Sequence, residues 1–97
     1  DFFHSLYDTL REYYGIGGIE GSITGGKRKS RELSKLDSVV YFLLDGKMKQ
    51  QDLRERLKIQ PKHHTHYLRQ GEKFFKEISD TKILSYVERI MEGKRGE

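Results

Sequence analysis

Residues 47–79, KMKQQDLRERLKIQPKHHTHYLRQGEKFFKEIS, contain the pattern from which the fold of this chain can be predicted. Leu53 and Leu57 are four residues apart, which places both on one face of a short helix over 50–58. Pro61 suits the first turn of a following helix, because the backbone N–H that proline lacks would have no partner there. We therefore predict two helices joined by a tight turn, the second starting near Pro61.

Two continuations of the second helix fit the sequence. An unbroken helix would place seven mostly apolar residues on its inner face: His64, Tyr67, Leu68, Gly71, Phe74, Phe75 and Ile78. Gly71 in the middle costs such a helix about 1 kcal/mol relative to alanine. The alternative is a β-hairpin, with strands at 74–78 and 82–86 and turn-forming residues at 79–81. The pattern leaves both open.

The N-terminal part of the chain predicts a helix followed by a loop. Aromatic and aliphatic residues recur at intervals of three and four over 2–14, so residues 1–14 are assigned to an amphipathic helix. Six of the ten glycines lie within 15–30 and break any regular element, and the basic run KRK at 27–29 follows them. We predict a flexible, basic, glycine-rich loop over 15–30.

The remainder of the chain is assigned to a core and a last helix. The core spans 31–79 and opens with a helix that Gly46 ends. The last helix lies within 80–97 and has Asp80 or Thr81 as its predicted N-cap. All 97 residues belong to one domain, because a chain of this size buries only one modest core.

Basic residues are concentrated in one segment of the chain. The net charge is +4, yet residues 1–46 hold six basic against seven acidic residues and 80–97 hold four of each. The excess lies in 47–79, where nine basic residues stand against four acidic ones. A segment with this charge attracts a polyanion, so nucleic acid is the expected partner.

Composition also bears on location. The chain has no cysteine, which excludes disulfides and thiolate metal sites. Its apolar runs are far shorter than the roughly 20 residues needed to cross a bilayer. We expect a protein of the cytoplasm, associated with the nucleoid and not with a membrane.

Residues 47–79 resemble the core of winged-helix and helix-turn-helix DNA-binding proteins, including the PadR-like and ArsR-like regulators. The residues that carry the resemblance are Leu53, Leu57, Ile59, Pro61 and Leu68. It implies a mainly α, winged helix-turn-helix fold with flanking N- and C-terminal helices and a small β-hairpin wing. His64 and Gly71 depart from the family pattern, which more often has a small aliphatic residue and a leucine there.

The resemblance implies that the second helix of the pair enters the major groove of double-stranded DNA. The side chains expected to contact base edges are Gln60, Lys62, His63, His66, Arg69 and Gln70. The side chains expected to contact phosphates, some of them from the wing, are Lys47, Lys49, Gln50, Gln51, Arg54, Lys73, Lys76 and Lys82. Base contacts determine the sequence preference, whereas phosphate contacts hold the register.

The two terminal helices carry more apolar surface than a small domain needs. The residues expected at a homodimer interface are Phe3, Leu6, Tyr7, Leu10, Tyr14, Leu84, Val87, Ile90 and Met91. Terminal helices form the two-fold interface in the families named above, so the resemblance implies a homodimer on a palindromic site with half-sites about one helical turn apart. The alternative is that both stripes complete the core of a monomer.

Two partial motifs point to other chemistry. Gly21, Gly26 and Lys27 fit a phosphate-binding loop, but Arg28 occupies the position that needs Ser or Thr to hold magnesium. The histidines at 63–66 lack a carboxylate or a fourth ligand at metal-binding spacing. The chain also lacks a nucleophile, a base and an orienting group in any catalytic pattern. We expect no metal, no cofactor and no enzymatic activity.

Sequence-specific binding of double-stranded DNA, used to regulate transcription, is the function that these observations favour. One alternative is a DNA-segregation or plasmid-partition protein that binds a site and spreads from it, as small stand-alone winged helices do. Another is a helical protein-interaction adaptor, in which the basic segment is only solvated surface.

Overall fold

The structure is a computed structural model that describes residues 2–15 and 31–95, with side chains described as far as Glu92. Within these ranges the chain forms helices and no β-strand. The helices are α1 (Phe2–Tyr13), α2 (Arg31–Leu44), α3 (Gln50–Leu57), α4 (His64–Glu77) and α5 (Thr81–Arg95). A 3-10 turn at Pro61–His63 leads directly into α4, so the predicted helix start at Pro61 is confirmed. No described helix is both long and apolar enough to span a bilayer.

Helix α2 lies at the centre of the fold. Its buried residues point in all directions around the helix axis: Leu33, Leu36, Asp37, Ser38, Val39, Val40, Tyr41 and Leu44. A helix that is apolar on most of its circumference has to be surrounded by other elements. Helices α1, α3 and α4 all pack against α2, while α5 packs on α1.

Helices α2 and α4 run antiparallel and in close contact. Tyr41, near the end of α2, contacts His64 at the start of α4. Gly71 in the middle of α4 faces Ser38, and the Lys35 ammonium lies over the ring of Phe74 further along. This pairing is the most extensive in the described structure and fixes which side of α4 remains exposed.

Helix α3 is a short connector whose inner side is buried against α2. Leu53 and Leu57 are buried, as the sequence predicts, and Ile59 after the helix is buried too. The helix ends at Lys58, which has a left-handed backbone (φ 58°), and its N–H and that of Ile59 donate to carbonyls of the last turn. A left-handed residue at this position is the common way to end a helix, and it turns the chain towards α4.

The predicted β-hairpin is absent from the described residues, so the winged-helix prediction is wrong and only the mainly α part of it fits. Helix α4 continues through Gly71 to Glu77, because the glycine is buried in the α2–α4 contact, which offsets its cost to the helix. Residues 82–86, the second predicted strand, form the first turns of α5. Asp80 caps this helix: its Oδ1 accepts the N–H groups of Lys82 and Ile83 at 2.9 and 3.3 Å.

The helix predicted within 1–14 is confirmed as α1, which is followed by Gly15 in a left-handed turn (φ 70°). Beyond Gly15, the predicted glycine-rich loop over 15–30 lies outside the described residues, including its basic run and the partial phosphate-loop motif. The helix predicted at the start of the 31–79 core is α2, and the one predicted within 80–97 is α5.

Candidate nucleic-acid interface

The exposed side of α4 carries a line of basic side chains. We define the α4 ridge as Lys62, His66, Arg69, Lys73 and Lys76, all of which are exposed. Successive members are four, three, four and three residues apart, which is the spacing of one helical face. The ridge therefore presents three lysines, one arginine and one histidine in a row along the 3-10 turn and α4.

Several side chains of the ridge make no ion pair with a neighbouring carboxylate of the described residues. Within the described part of the chain, the side chains of Lys62 and Arg69 make no ion pair or hydrogen bond. Lys76 lies 3.5 Å from a Glu72 carboxylate oxygen, but both side chains are largely exposed. Ion pairs of this kind contribute little in water, so they are readily exchanged for a phosphate contact.

The structure places the predicted base-contacting residues in the 3-10 turn, just before it and in the first half of α4. Gln60, Lys62 and His63 lie exposed in and just before the 3-10 turn. His66 and Arg69 follow on the ridge. The last member of the predicted set, Gln70, is half-buried and lines a cleft between α4 and α2.

The phosphate-contacting residues predicted around α3 fall into two groups. Lys47 and Lys49 are exposed in the turn that follows α2. The polar residues of α3 are linked to one another instead: Arg54 donates to Gln50 at 2.9 Å, and Gln50 donates to Asp45 at 3.3 Å. Gln51 similarly donates to Glu55, so these α3 side chains would have to leave a partner to contact DNA.

The residues predicted on a wing lie on helices. Lys73 and Lys76 belong to α4 and extend the ridge towards its C-terminal end. Lys82 belongs to the first turn of α5, where it lines a shallow depression with Tyr86 and Arg89. Lys82 thus lies on a different helix from the other two.

A cleft of about 170 Å³ lies between the first half of α2 and α4. Its polar lining comes from both helices: Arg31, Ser34, Lys35, Ser38, His66 and Gln70. Aromatic side chains, among them Phe74, form the rest of the described wall, and no carboxylate of the described residues lines the cleft. We call it the α2–α4 cleft. Sequence reasoning missed its α2 members, because only the antiparallel pairing of the two helices places them beside α4.

His64, one of the two departures from the family pattern, has a structural role. It is half-buried, its Nδ1 shares a hydrogen bond of 2.5 Å with the Tyr41 hydroxyl, and its ring meets the Tyr41 ring edge to face. His63 and His66 are exposed instead. Among the described residues no three His, Cys, Asp or Glu side chains converge in a metal-binding arrangement.

Four of the residues predicted at a homodimer interface lie in the core of the single chain: Phe3, Leu6, Leu10 and Val87. Packing of α1 on α2 and α5 buries them, as the monomer-core alternative expects. The others in that set are half-buried: Tyr7, Tyr14, Leu84, Ile90 and Met91. The large apolar side chains most open to solvent on these helices are instead Tyr13 and Tyr86, which are 38% and 39% exposed.

Two tyrosines of α1 have perturbed hydroxyls. The Tyr7 hydroxyl donates to the carboxylate of buried Asp37 at 3.4 Å. Burial, followed by the charge of Asp37, raises the pKa of Tyr7 to about 12. Burial likewise raises the pKa of Tyr14 to about 12, with smaller contributions from Tyr13 and Glu77. Both groups are neutral near pH 7 and serve to pack α1.

A scan against protein-family models and searches of curated proteins and of solved structures found no match to this chain. A functional proposal therefore depends on the geometry and charge of the described residues.

Proposed function

We propose that this protein binds double-stranded DNA by placing the α4 ridge in the major groove. The observation that carries the proposal is the row of exposed basic side chains on a helix whose opposite side is packed against α2. An α-helix with its side chains is about 10–12 Å across, which matches a major groove about 12 Å wide. Because α4 packs along α2, it is held in place with the ridge on its outer side.

Different residues of the ridge contact the bases and the phosphate backbone in this arrangement. His66 and Arg69 lie in its middle, where a helix in the groove approaches the base edges most closely. A guanidinium can donate two hydrogen bonds to guanine, and each such pair contributes about 1–3 kcal/mol of discrimination. Lys73 and Lys76 lie towards the end of the helix and contact the phosphate backbone in this arrangement. Lys47 and Lys49, exposed in the turn before α3, are further backbone contacts.

Binding as a homodimer and regulation of transcription complete the proposal. The support for a dimer is the pair of exposed aromatic rings, Tyr13 at the end of α1 and Tyr86 on α5. Selection of bound duplexes from a random pool tests this part: recovery of an inverted repeat supports a two-fold complex. A single asymmetric half-site would show that one copy binds alone.

Salt dependence of binding tests the central proposal. The dissociation constant for duplex DNA, measured by fluorescence anisotropy at several salt concentrations, is expected to change with a log-log slope of about 0.9 per phosphate neutralised. Replacing Lys62 and Arg69 together with alanine removes two ridge cations and lowers that slope by about two such contributions. The matched control replaces Lys58 and Arg89, two exposed cations outside the ridge and the predicted DNA contacts, and there we expect the wild-type slope.

The outcomes separate the competing functions. A protein that ignores DNA even in dilute buffer is not a DNA-binding protein, and a helical interaction adaptor becomes the better description. Equal losses in the ridge and control variants would mean that binding depends on overall charge and not on α4.

A further inference from the structure

The α2–α4 cleft gathers hydrogen-bond donors from two helices around one small space. Arg31 and Lys35 are four residues apart on α2 and so share a face. His66 and Gln70 are four residues apart on α4 and form the opposite side. Two of the described lining residues are cationic and none of them is a carboxylate, so the cleft should attract an anion.

The size of the cleft limits what it can hold. At about 170 Å³ it is smaller than the roughly 300–1,000 Å³ of pockets for drug-sized ligands. A tetrahedral oxyanion is small enough and offers several acceptor oxygens to the donors present. The Arg31 guanidinium can donate two parallel hydrogen bonds to such a group, and the Gln70 amide can donate from the other wall.

Some side chains that line the cleft already interact with other groups of the protein, so fewer donors are available to a bound anion. The Ser38 hydroxyl donates to the Ser34 carbonyl at 2.7 Å within α2. The Lys35 ammonium lies 5.2 Å from the centre of the Phe74 ring and so already interacts with its face. Arg31 is exposed, so its guanidinium is accessible to an anion from solvent.

The cleft also adjoins the surface proposed to enter DNA. His66 belongs both to the α4 ridge and to the cleft wall. When a helix lies in the major groove, the sugar-phosphate backbones run along its two sides. A backbone passing on the α2 side of α4 therefore crosses the cleft mouth.

We infer that the α2–α4 cleft is a binding site for one phosphodiester group of the DNA backbone, held mainly by Arg31 of α2 opposite Gln70 of α4. This inference rests on the proposed function. It adds α2, which sequence reasoning did not include, to the DNA-contacting surface. The contact sets the register of α4 in the groove without reading sequence.

The test compares Arg31→Ala with Arg89→Ala, a matched loss of one exposed arginine on α5. In the anisotropy salt series, Arg31→Ala is expected to lower the slope by about 0.9 and to weaken binding to all sequences alike. Arg31→Lys keeps the charge but loses the paired donors, so its affinity should lie between wild type and Arg31→Ala. Arg89→Ala should match the wild type. Equal behaviour of Arg31→Ala and Arg89→Ala would overturn the inference and leave the proposed function standing.

A second measurement observes the cleft without DNA. Inorganic phosphate titrated into isotope-labelled protein is expected to shift the backbone amide signals of Ser34, Lys35 and Gln70, and not to do so in Arg31→Ala. Absence of any shift at these amides would count against a phosphate site. If phosphate shifts these signals but the wild type binds no DNA, the proposed function is wrong. The ligand of the cleft is then free phosphate and not a phosphodiester of DNA.

Discussion

Gly71 of α4 lies against the backbone carbonyl of Ser38 in α2 with no room for a side chain between them. A Cβ atom at position 71 would come within 2.5 Å of the Phe42 Cβ and closer still to the Ser38 oxygen. The two helix backbones can approach this closely only because position 71 is glycine. Their contact in turn holds the α4 ridge outward and forms the cleft beside it.

Gly71→Ala is therefore expected to destabilise the protein. Alanine is the better helix former by about 1 kcal/mol, but here the added methyl group overpacks the contact, which typically costs about 1–3 kcal/mol. Urea unfolding followed by circular dichroism measures the free energy of unfolding. Thr65→Ala, at an exposed position of the same helix, is the control and should change it by less than about 0.5 kcal/mol. A Gly71→Ala protein more stable than the wild type would show that the helices are not in such close contact.

The hydrogen bond between Tyr41 and His64 links the end of α2 to the start of α4. Tyr41→Phe removes the hydroxyl and leaves Nδ1 without this partner, so we expect a loss of about 1 kcal/mol in unfolding free energy. A double-mutant cycle with His64→Ala isolates the pair, and a coupling of at least about 0.5 kcal/mol is expected. Strictly additive effects of the two substitutions would mean that the bond contributes nothing to stability.

Stability should fall at high pH because of Tyr7. Its pKa is raised from 10.0 to about 12 in the fold, first by burial and then by the Asp37 charge, so the folded state favours the protonated hydroxyl. This contribution is complete below pH 10.0 and is lost as the pH rises through about 12. Tyr7→Phe should weaken the decline of unfolding free energy across that window. The difference between the tyrosinate absorbance titrations of the two proteins gives the pKa of Tyr7. An equally steep decline of unfolding free energy in both proteins would contradict the assignment.

Asp80 provides a prediction that separates a helix from a hairpin. Asp80→Ala removes the side-chain acceptor of the first N–H groups of α5, and loss of such a cap costs about 1 kcal/mol. Asp80→Asn keeps an acceptor oxygen and should retain most of the stability. Thermal unfolding followed by circular dichroism measures both variants. Equal stability of Asp80→Ala and the wild type would indicate that α5 does not begin here.

Base reading by the ridge makes a prediction about specificity. Arg69→Ala should relax the preference at one base-pair position, where the lost guanidinium contact is worth about 1–3 kcal/mol of discrimination. Lys73→Ala should weaken binding to every sequence by a similar factor, because a phosphate contact carries no sequence information. Affinities measured on a panel of single-base variants of a selected site distinguish the two patterns. Uniform weakening by Arg69→Ala would remove it from the base-reading set.

Local periodicity was sufficient to predict most helices of the described chain. The apolar spacing over 2–14 and in α2, the leucine pair of α3 and the position of Pro61 each depend on neighbours within one or two helical turns. Interactions between residues this close along the chain can be recognised from a single sequence. The exposure of Lys62, His66 and Arg69 follows from the same periodicity, because the apolar face of α4 defines the opposite side.

The structure of residues 74–86 and the cleft depend instead on contacts between residues far apart in the sequence. Over 74–86 the sequence is compatible with two strands or two helices, and the resemblance to winged-helix proteins favoured the wrong one. The helix prevails because Gly71 meets Ser38, a residue more than thirty positions earlier, and because Asp80 caps α5. The same antiparallel contact puts Arg31 and Gln70 around one space and so creates the cleft. Such close approach depends on the three-dimensional path of the chain, which periodicity along one helix does not contain.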